Sequence, residues 1–159
     1  MKKSLLLQRI ISHLAAELEL FSTAARDTHA DATDEQNKSE DKYDTRGLEA
    51  SYLALGQSRQ AVEVEQALRQ FEILPARDFG PADPIDVGAL VALEAGSEKT
   101  FYFVGPRAGG TEVKYDRKVV LVVTPQSPLG RQLVGKRQGD LLQIEMAGRK
   151  NDYRVALVA

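Results

Sequence analysis

From Leu7 onward, apolar side chains return at alternating steps of four and three residues, through Ile11, Leu14, Leu18, Phe21, Ala25, Thr28 and Ala32. That alternation puts them on one stripe of an α-helix and, because it keeps heptad spacing, predicts the seam of an antiparallel coiled-coil hairpin. A continuous helix from Leu5 to Ala30 is roughly 40 Å long at 1.5 Å per residue. Along the seam the side chains shrink from Leu and Phe to Ala and Thr, so the predicted pair tapers. A second helical pattern follows, with Leu48, Tyr52 and Leu55 and then, after a register break near Gly56, Gln57 and Ser58, with Ala61, Val64, Leu68 and Phe71. Ser39, Asp41 and Asp44 are its candidate N-caps. Pro75 ends it, and residues 75–84, PARDFGPADP, read as a linker because three prolines and a glycine interrupt any regular period.

Beyond the linker the period falls from helical to two. Val87 to Glu94, Thr100 to Gly105, Lys118 to Thr124, Asp140 to Met146 and Asp152 to Val158 read as five short strands. The run VVLVV is apolar throughout, as expected of a strand covered on both faces. One short helix, Pro128 to Val134, is marked by Ser127 as N-cap, Pro128 at the first helical position and Gly135 just past its end. The expected class is α+β: a helical hairpin over 1–74, the linker, and a small antiparallel sheet domain with one helix over 85–159.

Composition narrows the function classes. The chain of 159 residues has no cysteine, which excludes disulfides and thiolate metal sites and suits a cytoplasmic setting. A pI near 5.7 gives no broad basic footprint for nucleic acid. The opening MKKSLLLQRII is broken by Gln8, Arg9, Ser12 and His13 after three leucines, so neither a secretory signal nor a membrane partner is expected.

Charge changes the picture most at the junction of the two helices. Between Asp31 and Asp44 stand Asp31, Asp34, Glu35, Glu40, Asp41 and Asp44 against only Lys38 and Lys42, in a chain whose formal charge is -2. A solvated turn accounts for such a cluster as well as a ligand does. Clustered carboxylates without cysteine suit a hard, oxygen-seeking cation such as Mg²⁺ rather than zinc. Elsewhere the chemistry is sparse. His13 and His29 lie within the first helical pattern with no nucleophile at catalytic spacing. Gly105 to Gly110 lacks the spacing of a phosphate loop and reads as a hairpin connection. Arg131, Lys136 and Arg137 form a modest basic group on and after the short helix.

Ser127 to Ile144, SPLGRQLVGKRQGDLLQI, resembles the C-terminal signature of the bacterial Gre transcript-cleavage and elongation factors: Ser-Pro, a small residue, a short helix, Gly-Lys, then Gly-Asp leading into a strand. The likeness reaches back over VGALVAL and FYFVG and forward to DYRVALV, and the order of parts matches along the whole chain. It implies an FKBP-like C-terminal domain that grips the rim of the RNA polymerase secondary channel through Gln126, Ser127, Pro128 and Arg131. It implies also that the coiled coil enters the channel, near the transcript 3′ end, and that its tip carboxylates help hold a catalytic Mg²⁺ shared with polymerase. The factor would then be no enzyme itself, would act as a monomer, and would assist polymerase in cleaving backtracked transcripts. Glu40 is the nearest equivalent of the family's tip glutamate; the second carboxylate is Asp34, Asp41 or Asp44. Asn37 stands where the family has its first Asp, Tyr43 comes one residue early, and Gln126 replaces an acidic residue of some members. The alternative is a regulator that occupies the channel without stimulating cleavage. A third reading is a helical-hairpin binding or chaperone-like module outside transcription.

Overall fold

The computed structural model describes residues 2–33 and 46–159. Two long helices come first, α1 (Lys3–Thr33) and α2 (Arg46–Glu72), and a six-stranded sheet with one short helix follows. The strands are β1 (Leu90–Ala95), β2 (Glu98–Val104), β3 (Glu112–Tyr115), β4 (Lys118–Val123), β5 (Leu141–Met146) and β6 (Arg149–Val158); α3 (Pro128–Leu133) lies between β4 and β5. The described chain divides into two compact units, Ser12–Arg69 and the remainder.

In the helical unit α1 follows the predicted seam. Leu14 and Ala25 are buried, and Leu18, Phe21 and Thr28 are half-buried at the expected spacing. The second helix departs from expectation. It runs unbroken through Gly56, and its inner face is Gly47, Ala50, Ala54, Gln57, Ala61, Val64 and Leu68, again at alternating steps of three and four. Leu48, Tyr52 and Leu55, expected in the seam, are instead 55%, 67% and 49% exposed. The register break therefore does not exist. Small side chains on both helices pack the tapered part, and larger ones at the same level turn outward. A glycine inside an exposed helix costs only about 1 kcal/mol, too little to break a 27-residue helix. A Cβ added at Gly56 meets nothing within 4 Å. Gly56→Ala is accordingly expected to stabilise the helical unit by up to about 1 kcal/mol, read as a higher urea midpoint at unchanged slope.

The other unit holds the sheet, in the order β3-β4-β2-β1-β6-β5. Five strands were expected and six form. The additional one, β3, is only four residues long and joins β4 through Asp116 and Arg117, both at positive φ, which is the two-residue turn that matches strand twist. Pairing is antiparallel except between β2 and β4, which run parallel with Phe101 opposite Val120. The segment from Gly105 to Gly110 is thus no hairpin connection: it leads from β2 to β3, which pairs with β4 and not with β2. Ala159 closes the sheet, since it and Leu90 exchange backbone hydrogen bonds of 2.8 and 2.9 Å.

Alternation along the strands creates two buried faces. One carries Val91, Leu93, Val104, Val123, Leu142, Ile144 and Val155, packed with Ile85 and with Leu133 of α3. The other carries Leu90, Phe103, Val120 and Val122, and Phe71, near the end of α2, sets its ring 6.2 Å from that of Phe103. VVLVV is covered only in part, because Val119 is 49% exposed and Leu121 half-buried.

The first turns of α1 belong to this same unit, with Leu6 and Ile10 fully buried. Lys3, buried, donates from Nζ to the carbonyl of Arg77 and lies 4.6 Å from the ring centroid of Phe79. Loss of water around its ammonium pushes its pKa below the ordinary lysine value, against the pull of Asp78. Phe79 stands in the span expected as a linker, yet is only 7% exposed.

Candidate partner-docking face and acidic junction

The best-defined candidate surface is built on α3. Ser127 has an extended backbone and caps the helix: its Oγ accepts from the Gly130 N–H at 3.0 Å and donates to the Thr124 carbonyl at 2.7 Å. Pro128 follows at the first helical position, where a missing N–H costs nothing. Six residues cannot hold a helix by themselves, so packing fixes this one. Leu133 is fully buried in the core, and Gly130 sits so close to the preceding turn that an added Cβ would lie 1.7 Å from the Thr124 carbonyl oxygen. Just past the helix Gly135 takes φ +87°, and its N–H donates to the Ile85 carbonyl at 2.8 Å.

With that inner side pinned, the outward side is determined. Gln126, Pro128 and Arg131 are exposed at the amino-terminal end of α3, with Ser127 half-buried beneath them. Steps of three along a helix bring Pro128, Arg131 and the 37%-exposed Val134 to neighbouring positions. The four residues expected to meet a partner are thus brought together. Arg131, Lys136 and Arg137 make no ion pair among the described residues, which leaves a basic face with an apolar patch. Val134 was not singled out from sequence, because an isolated valine in a short apolar helix reads as core.

The acidic junction stands differently. Asp34, Glu40, Asp41 and Asp44, expected as metal ligands, lie outside the described residues, as do Asn37, Lys42, Tyr43 and the candidate N-cap Ser39. Among the described residues no group of three or more acidic or histidine side chains is placed to hold a metal ion. The helices leading to the junction meet through Thr28, whose Oγ1 donates to Gln57 Oε1 at 2.8 Å. Beside that bond a groove of about 340 Å³ is lined by Ser22, Ala25, Arg26, His29, Ser58 and Ala61. His13 and His29 are both exposed, as expected of helix-surface residues. Thr28 lies in the expected seam, whereas its partner Gln57, polar and placed by the apolar pattern at a register break, is invisible to a search for apolar periodicity.

The family model described as transcription elongation factor GreA/GreB, C-terminal, matches residues 80–159. A transcription inhibitor protein Gfh1 of Thermus thermophilus is 24% identical over 158 residues, covering 95% of this chain and 91% of that protein. The transcription elongation factor GreA of Methylococcus capsulatus is 25% identical over 162 residues, covering 99% and 98%. The crystal structure of Gfh1 from Thermus thermophilus aligns over 94% of each chain at 22% identity, with a TM-score of 0.39. The family match spans the whole sheet with α3 and its Ser-Pro cap, and on that match the chain belongs to the GreA/GreB transcription elongation factor family.

Proposed function

We propose that this protein is a Gre-type factor that binds bacterial RNA polymerase in the cytoplasm and acts through the acidic segment joining α1 and α2. The observation that carries this reading is the family match over 80–159, which covers the exposed Gln126–Arg131 surface. That surface is the docking face: Pro128 and Arg131 meet the rim of the secondary channel, and the basic side chains beside them suit an acidic rim. The body is the FKBP-like domain, and the two helices form the coiled coil that enters the channel. Glu40, with Asp34, Asp41 or Asp44, supplies anionic oxygens to a Mg²⁺ held jointly with polymerase. Held there, Mg²⁺ would supply Lewis acidity toward the attacked phosphate and the attacking water, and the hydrolysis would be carried out by polymerase. The factor has no catalytic centre of its own under this reading.

A second reading is an inhibitor that fills the same channel without promoting cleavage. Two observations favour it: one relative aligned over nearly its whole length is named a transcription inhibitor, and Asn37 takes the place of the family's first tip Asp. Stalled, backtracked elongation complexes separate the two. Cleavage assistance predicts that added protein shortens the transcript 3′ end, and that Glu40→Ala lowers the rate about 10- to 100-fold, as expected when one ligand of a shared metal is lost. No cleavage by the wild type, together with suppression of cleavage by an active Gre factor, establishes the inhibitor. Equal activity of wild type and Glu40→Ala removes the residue from the mechanism.

A further inference from the structure

We propose that the groove between the amino-terminal ends of β2 and β4 binds a nucleoside di- or triphosphate, its phosphates on Lys99, Arg117 and Lys118 and its base on the apolar floor between the strands. The proposal is independent of the polymerase reading. β2 and β4 run parallel, yet they pair with each other only from Phe101 and Val120 onward, so residues 98–100 and 118–119 have no partner across that gap. A groove of about 430 Å³ opens there, within the roughly 300–1,000 Å³ usual for small-molecule sites. Tyr102 lies opposite Leu121 in the parallel register, and by alternation Thr100 and the 49%-exposed Val119 share their face, which gives a largely apolar floor. Each wall keeps its outer neighbour, since Thr100 pairs with Leu93 of β1 and Val119 with Lys114 of β3. Paired strands rather than loops therefore shape the groove.

Charge selects the ligand. Lys99, Arg117 and Lys118 also line the groove, all three are exposed, and none makes an ion pair among the described residues. Lys99 stands opposite Glu94 in the β1–β2 register, but that carboxylate accepts from Arg154 at 2.5 Å. Glu98 and Asp116, the acids next in sequence to these cations, do not line the groove. The Lys118 ammonium lies 4.6 Å from the ring centroid of Phe101, which holds it beside the opening. Three cations around one small volume, with no carboxylate in its lining, fit a ligand that carries several negative charges close together. The apolar floor beside them fits a flat, uncharged ring. A nucleotide has both parts. A long nucleic-acid strand fits less well, because beyond the groove it meets a chain of formal charge -2 with no broad basic footprint.

Amide NMR on the isotope-labelled full chain, titrated with ATP at low salt, tests it. The expected result is saturable shifts at the amides of residues 99–102 and 117–121, with a dissociation constant of about 0.1–1 mM. Arg117→Glu should raise that constant about 10-fold or more while the remaining amides of the sheet keep their positions, because Arg117 is exposed in a turn. Lys99→Glu should weaken binding in the same direction. Pyrophosphate should move the same amides but bind more weakly than ATP, since it has nothing to lay on the floor. No shift at these amides by about 10 mM ATP overturns the proposal, as does undiminished binding in both variants. Pyrophosphate binding as tightly as ATP overturns the place given to the base. A single strand of about ten uridines that binds these amides more tightly than ATP overturns the choice of a mononucleotide.

Discussion

Replacing Gly130 by alanine is expected to destabilise the protein by about 3 kcal/mol or more, lowering the melting temperature by roughly 6–12 °C, because the obstacle is backbone. A methyl group there would sit 1.7 Å from the Thr124 carbonyl oxygen and 2.7 Å from its carbon. Relief requires α3 to move off the turn that precedes it. Such a shift would break the cap, in which the Gly130 N–H reaches Ser127 Oγ, and would draw Leu133 out of the core. The residues on the outward side, Pro128 and Arg131, would be displaced with the helix. Stability and partner binding should therefore fall together. Thermal unfolding by circular dichroism measures the first, and a Gly130→Ala protein that melts with the wild type would show that the helix can sit elsewhere.

Phe71→Ala should cost about 3–5 kcal/mol, the range for deleting a buried aromatic ring from a close-packed core. Phe71 is 1% exposed, its ring lies 6.2 Å from that of fully buried Phe103, and a Cβ on Gly105 would come within 2.6 Å of its Cζ. The strand therefore gives up a side chain at Gly105 to admit this ring. Nothing small refills the space. Urea unfolding is the measurement, and a loss below about 1 kcal/mol would mean that the sheet collapses onto the vacancy.

The long first helix is legible because its inner side chains are large: Leu7, Leu14 and Leu18 announce a seam by size as well as by spacing. The first half of α2 misleads for the same reason. Large apolar residues at Leu48, Tyr52 and Leu55 draw attention, whereas the contact with the tapered end of α1 needs small ones and uses Gly47, Ala50 and Ala54. Apolar periodicity locates a face and does not say which of two faces is covered. Strand β3 escapes notice because Glu-Val-Lys-Tyr has one buried side chain, Val113, and its turn, Asp116-Arg117, lacks the glycine that usually marks positive φ. The cap of α3 is fully legible, since Ser-Pro and a trailing Gly report backbone requirements and not tertiary contacts. Gly130 is not, because its reason is the carbonyl of Thr124, in the turn before the helix begins. The residues proposed for docking come from the resemblance alone and lie near one another at the start of α3, while the expected metal ligands fall in residues 34–45, outside the described chain.

Docking of this surface on RNA polymerase is tested most directly by binding to purified core polymerase at low salt. The expected result is a saturable complex that Arg131→Glu weakens about 10-fold or more while leaving the melting temperature unchanged, because Arg131 is exposed and makes no internal ion pair among the described residues. Absence of a complex with the wild-type chain at low salt, where opposite charges attract most strongly, would contradict it.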